Sequence, residues 1–236
     1  MPIFNSVYKS FKEWWQPWAN TIAYYPLTSS STVNDMKGSW TAYNLTSTGT
    51  APSFWIYWWV DCAYFSNSWM LYNWDWTWTA LWDYTISLFY NKTADVPQDS
   101  GLVAWLCKKA TNGISVYADI LDGKTRPTST KWIYWLHDAT GLSYVWPYSI
   151  SWWTHIVITL EWSVWKLYIN WEQKWSTFTI WNTTPDYIAI SRYQANWDNL
   201  DRSIRWYVSE VIFENKARTA DEITNYYNWT KWDYGL

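Results

Sequence analysis

Apolar residues in this chain come in short runs rich in β-branched and aromatic side chains, separated by polar segments built from Ser, Thr, Asn, Asp and Pro. That pattern predicts strands and turns. The clearest pair is Ile156-Val157-Ile158 and Leu167-Tyr168-Ile169, which flank a polar connector and read as antiparallel neighbours. Strands are expected at Ile22 to Leu27, with Pro26 restricting it to an edge or a strand end, around Tyr43-Asn44-Leu45, and from Ile56 to Phe65. Another runs from Asp83 to Tyr90, where Tyr84, Ile86, Leu88 and Tyr90 alternate. Leu102 to Lys108 and Ile114 to Leu121 form a hairpin turning at Thr111-Asn112-Gly113, and Asp122 to Lys131, with Pro127, is a connection. Ile133 to Leu136 pairs with Leu142 to Val145, and Tyr187 to Ile190 and Ile204 to Phe213 follow. Such a series predicts an all-β sandwich.

One helix is signalled. Thr219-Ala220-Asp221-Glu222 fits a capping box, and Ile223, Tyr226 and Tyr227 share the face that packs. A stop is expected at Asn228-Trp229. Residues 1–19 read as a tail or linker, and 20–236 as one domain, a size usual for a single all-β unit.

Turn chemistry conflicts with this pattern in one respect. Asn170 opens a tight turn that asks for φ > 0 at the next residue, and the residue there is Trp171. Trp also adjoins Asn or Asp in Asn73-Trp74-Asp75-Trp76, Trp181-Asn182, Asn196-Trp197-Asp198, Asn228-Trp229 and Trp232-Asp233. The chain holds 27 Trp against 7 Gly, whereas glycine usually makes up about 7% of a protein. A non-glycine residue in a left-handed conformation costs roughly 1–2 kcal/mol. Ten such corners would consume the about 5–15 kcal/mol of net stability that a domain has. Most of these tryptophans are therefore expected to be glycines in the native protein, as when UGA codons meaning glycine are read as Trp. Trp153, directly before a strand, is expected to be a real indole.

With those positions read as glycine, the chain resembles the laminin G-like domains of the concanavalin A-like lectin and glucanase superfamily from about Ile22 to Asn228. The resemblance is carried by an ordered series: Ile22 to Leu27, Asn34-Asp35 with Gly38, Ala63-Tyr64-Phe65, Asp83 to Ser87, Trp153 to Thr159, Lys166 to Asn170, Trp206 to Phe213, and Ala220 to Ile223. It implies a jelly-roll sandwich of two antiparallel sheets with one short C-terminal helix, and a role in carbohydrate binding or surface adhesion. Ser209 departs from the family pattern, which has Asp before Glu-Val.

Net charge is −3 with scattered cations, which argues against a nucleic-acid surface. No apolar stretch reaches the roughly 18 residues of a spanning helix, so no membrane insertion is expected. The N-terminal residues do not read as a secretory signal. A surface role would then need a longer parent chain, signal-less export or release with a virion. Cys62 and Cys107 lie in strand-like runs and either pair across neighbouring strands or stay as buried thiols.

Glu210 and Glu214, four apart on one strand, leave the same face and could form the acid and nucleophile of a retaining glycosidase. Ile212 stands where glucanases of the superfamily have an acid. His155, at a strand start, reads as structural, and His137, with Asp138 in a turn, could touch a ligand; neither has a second ligand at zinc spacing. Calcium is a possible ion, with Asp75, Asp83, Asp198 and Asp201 as loop oxygen donors. For a sugar, the expected contacts are Arg192, Tyr193, Asn196, Asp198 and Tyr207, in or beside the loop from Arg192 to Arg205. Sequons occur at Asn44, Asn91, Asn182 and Asn228. The expected partner is a glycan or a surface protein, with oligomers possible. A fibre or tail assembly domain and a glycoside hydrolase are the alternatives to a non-catalytic binding module.

Overall fold

A computed structural model describes residues 20–29, 45–48, 52–65, 70–73, 83–92, 100–110, 113–124, 131–137, 141–147, 152–162, 164–179, 187–190 and 206–236. The strands are β1 (Thr21–Tyr25), β2 (Thr46–Thr48), β3 (Ser53–Tyr57), β4 (Val60–Phe65), β5 (Met70–Asn73), β6 (Asp83–Lys92), β7 (Ser100–Ala110) and β8 (Gly113–Lys124). They continue as β9 (Lys131–His137), β10 (Gly141–Pro147), β11 (Thr154–Glu161), β12 (Val164–Ile169), β13 (Glu172–Thr179), β14 (Tyr187–Ile190) and β15 (Trp206–Glu214). Among the described residues the one α-helix, α1 (Ala220–Thr230), and a 3₁₀ turn, Lys231–Tyr234, follow β15.

The strands form two antiparallel sheets. One has the order β13-β12-β11-β6-β15-β4-β3, with β1 also paired to β15, and the other the order β10-β9-β8-β7-β14-β5-β2. Successive side chains on a strand point to opposite faces, yet every residue of β11 from Thr154 to Leu160 is buried. Both faces of the first sheet are therefore covered. Ile86, Leu88, Ile156, Ile158 and Ile169 lie on the face towards the second sheet. On the opposite, outer face, Phe89 and Ile212 pack with Tyr226 and Tyr234, and Val157 with Ile223. The molecule is a β-sandwich with a short C-terminal helix, as expected.

Strand β15 changes partner along its length: Trp206 to Val208 pair with β4, and Val211 to Glu214 with β1. A register shift between Ser209 and Ile212 marks the change, and Glu210 within it has φ 52°.

Several sequence-based boundaries differ from the structure. The expected single strand from Ile56 to Phe65 is the hairpin β3–β4, whose two turn residues are Trp58 (φ 47°) and Trp59 (φ 62°). A type I′ turn of this kind normally announces itself through Asn or Gly, and two indoles hide it. Strands β5 and β13 were not anticipated, β2 starts just after Leu45, and β8 runs on to Lys124. The capping box forms as expected, Thr219 Oγ1 accepting from Glu222 N at 3.2 Å and Glu222 from Thr219 N at 2.9 Å. The helix does not stop at Asn228-Trp229: it continues to Thr230, and the left-handed residue is Gly235 (φ 66°). Thr230 Oγ1 donates to Tyr226 O at 2.8 Å, so the side chain of the last helical residue bonds back into the preceding turn. Asn170 (φ 48°) and Trp171 (φ 72°) do form the tight left-handed corner between β12 and β13.

Candidate functional site

Strand β15 carries both glutamates that sequence spacing singled out. The bulge turns the Glu210 carboxylate under the helix, where it is 5% exposed. Tyr226 donates its hydroxyl to Oε2 at 3.0 Å and Tyr24 to Oε1 at 3.4 Å, while Glu210 N donates to Pro26 O at 3.3 Å. Beside it, Tyr234 donates to Ser209 Oγ, which donates to Asp61 O, each at 3.1 Å. Burial raises the phenol pKa of Tyr24, Tyr226 and Tyr234 well above the usual value, and the Glu210 charge raises it further. Glu214, also buried, pairs with Arg218 Nε and accepts from Thr21 Oγ1 at 3.4 Å. Arg218 in turn lies 5.0 Å over the Tyr226 ring. A retaining glycosidase needs two carboxyl groups facing the sugar. These two face the helix and are bonded within the molecule.

His155 is fully buried, its Nε2 2.9 Å from Ser87 Oγ and its ring stacked on Phe89 at 4.6 Å. Burial, and next the Arg218 charge, lower its pKa to about 3, so it is neutral near pH 7. Ser87 is buried too, so this Ser–His contact meets no substrate. Cys62 is a free, buried thiol on the first sheet, whereas Cys107 belongs to β7 of the second. Burial pushes the Cys62 pKa up to about 12, which leaves it unreactive. Asp83 Oδ1 accepts from Trp162 N at 2.8 Å and so closes the β11–β12 turn. Among the described residues no group of three His, Cys, Asp or Glu side chains is placed to hold a metal.

Of the expected sugar contacts, only Tyr207 falls within the described residues; Arg192, Tyr193, Asn196 and Asp198 lie outside them, as do Asp75 and Asp201. Tyr207 is half-buried near the start of β15. Its ring stacks on Tyr57 at 4.1 Å and 18°, and lies 4.9 Å from Tyr64 at a 43° tilt. Burial raises the Tyr207 pKa, followed by the neighbouring Cys62, Tyr64 and Tyr57. Tyr57 and Tyr64 escaped the sequence reading because their place opposite Tyr207 depends on the hidden β3–β4 turn. Exposed Trp55, Trp58 and Trp59 occupy the same hairpin.

No family model and no curated protein matches this chain. Solved structures do. Domain 4 of AbnA, a GH43 extracellular arabinanase from Geobacillus stearothermophilus, solved with arabinotriose, is 15% identical with a TM-score of 0.62, over 87% of this chain and 97% of that one. Trypanosoma rangeli sialidase in complex with sialic acid gives 12% identity and a TM-score of 0.65 over 98% of this chain. The binding domain of Botulinum neurotoxin DC, in complex with rat synaptotagmin II, gives 12% and 0.62 over 89%. This chain spans only 39% of the sialidase and 52% of the neurotoxin domain. At these identities the likeness is one of fold: the chain is similar to β-sandwich domains found in glycan-acting, glycan-bound and protein-bound molecules.

Proposed function

We propose that this chain is a non-catalytic carbohydrate-binding or adhesion module of laminin G-like type, acting at a cell or virion surface. The observation that carries this reading is a contrast. The carboxylates a hydrolase would use are buried and bonded to Tyr24, Tyr226 and Arg218, whereas the Tyr57–Tyr64–Tyr207 cluster remains half-exposed at the sheet edge. Similar sandwiches were solved with arabinotriose and with sialic acid, which supports a sugar ligand. The loop residues Arg192, Tyr193, Asn196 and Asp198 would join Tyr207 in the contact, with calcium held by Asp75, Asp83, Asp198 and Asp201. The neurotoxin domain bound to synaptotagmin favours, as second reading, an assembly or adhesion domain whose ligand is protein. A glycan array on the full chain decides: specific, competable binding is expected, and a blank array together with stable oligomers on sizing would turn the reading to assembly.

In the same reading, most tryptophans stand where the native protein has glycine. Trp58, Trp59, Trp162 and Trp171 all sit at turns with φ between 47° and 72° and are 46–66% exposed, whereas Trp153 is 1% exposed. Glycine occupies such corners without strain, and Trp153 alone of these five is buried in the core, although Trp171 lies 4.6 Å from the Tyr227 ring and Trp58 5.4 Å from Trp152. Trp229 gives no such support, because its backbone is helical. Mass spectrometry of the native protein is expected to find glycine at 58, 59, 162 and 171, and Trp at those four positions would refute the idea.

A further inference from the structure

Strand β3 stands at one end of the first sheet, and among the described residues no strand lies beyond it. Its hairpin with β4 fixes which of its main-chain groups are used. Tyr57 and Val60 flank the two-residue turn and exchange both backbone hydrogen bonds, and the alternation of an antiparallel ladder repeats this at Trp55–Cys62 and Ser53–Tyr64. Phe54 and Ile56 fall between these pairs, with N–H and C=O pointing away from β4. Among the described residues nothing bonds them on that side. The side chains agree: Ile56 is 70% exposed, and Trp55, on the helix face with Cys62, is 59% exposed. Folded proteins usually guard such an edge with charge or proline. At the other end of the sheet β13 begins Glu172-Gln173-Lys174, whereas Ser53-Phe54-Trp55-Ile56-Tyr57 carries no charge, and the Asp61 that pairs with Ile56 stands one strand back.

We propose that two copies of this chain associate through β3, edge to edge and antiparallel about a twofold axis at Trp55. The strand is complementary to itself. Turned about that axis, it sets Phe54 opposite the partner's Ile56 and Ile56 opposite the partner's Phe54, and each of these pairs exchanges two backbone hydrogen bonds. The resulting four bonds use every outward N–H and C=O of both strands. Trp55 then faces its own copy as the intervening pair, where side chains approach most closely, and no like charges meet. A foreign strand would have to bring this match with it, whereas a second copy brings it by symmetry. Five paired residues bury less than the roughly 1,200 Å² of a stable interface, so the dimer is weak and reversible. Its axis is perpendicular to the sheet, so both helix faces look the same way, and a ligand repeated on a surface is held at two points. The bonds run from backbone to backbone, so the contact is the same with an indole or a glycine at position 55. It stands independently of the ligand that the module takes.

Sedimentation of the full chain over a concentration series tests the contact: the mass should rise from one copy to two between about 1 μM and 1 mM. Ile56→Pro removes one outward N–H from each copy and no bond within the hairpin. It therefore deletes two of the four intermolecular bonds and should weaken association about 30-fold. Ile56→Lys leaves every backbone group in place and supplies the missing edge charge, so it should also sediment as one copy, and it carries the test if the proline variant fails to fold. Backbone hydrogen exchange locates the contact: the Phe54 and Ile56 amides should be protected only in concentrated protein, whereas those of Trp55 and Tyr57 stay slow throughout. A mass of one copy across the whole series would overturn the proposal. So would a dimer that the variants leave intact, or one whose Phe54 and Ile56 amides exchange freely. Glycan binding is read separately: sugar bound by a lone copy would remove the dimer and leave the lectin reading standing, and a β3 dimer with a blank array would do the reverse.

Discussion

Glu210 occupies a left-handed backbone conformation that glycine would take without strain, and what it gains there is two phenol hydroxyls on its carboxylate. Glu210→Ala keeps the strained conformation and removes the acceptor that Tyr24 and Tyr226 share. A loss of about 2–3 kcal/mol in urea unfolding is expected; a change under about 0.5 kcal/mol would show that the contact contributes no stability. His155 gives a pH signature. Its pKa of about 3 in the fold lies below 6.5, the ordinary value that the unfolded chain would show. Above that ordinary value both states are neutral and stability does not change. As pH falls below it the unfolded chain binds the proton first, so stability declines until about pH 3, by roughly 1.4 kcal/mol per unit. At pH 5 this amounts to about 2 kcal/mol relative to pH 7. His155→Gln should lack that part of the acid loss, and identical pH profiles for the two proteins would contradict a buried neutral imidazole.

At the scale of elements, the helix is held at its start by the capping box and a Lys216–Glu222 ion pair. Burial acts to raise the Glu222 pKa, but the hydrogen bonds from Lys216 and Thr219 outweigh it and hold the carboxyl below the ordinary value. Thr219→Ala should cost about 1 kcal/mol, read as a fall in melting temperature; no fall would mean that tertiary contacts alone hold the first turn. The hairpins carry the opposite expectation. Trp162 is 66% exposed at φ 58°, so Trp162→Gly gives up little packing and removes the strain. It should stabilise the chain by about 1 kcal/mol, whereas Trp153→Gly should cost about 3–5 kcal/mol by opening a cavity. Destabilisation by Trp162→Gly would show that the indole belongs at that turn.

For the molecule as a whole, the first sheet is buried on both faces, one of them beneath a helix and turn of only 17 residues, Ala220 to Leu236. Removing those residues exposes Phe89, Val157 and Ile212 and takes one hydroxyl from Glu210. The shortened chain is expected to lose cooperative unfolding and to bind a hydrophobic dye. A sharp transition near the original midpoint would show that the sheet stands without its helix. The C-terminal segment is thus part of the core, because a sheet with apolar residues on both faces needs a cover on each.

Short apolar runs, the Thr219–Glu222 box and the alternation in β6 and β11 were enough to read an all-β sandwich with one terminal helix, because local periodicity reports directly on which faces are buried. Tyr207 and the two glutamates were also visible in the chain. Their roles were not. Turn chemistry normally marks where strands reverse, and the indoles at 58 and 59 erased that mark, hiding the register that brings Tyr57 and Tyr64 to Tyr207. The change of partner along β15, from β4 to β1, depends on pairings between strands well over a hundred residues apart in sequence, which no local pattern encodes. That pairing buries Glu210 and Glu214 beneath the helix and leaves the tyrosines at the surface, since a side chain's surroundings follow from the strands that meet it and not from its neighbours along the chain.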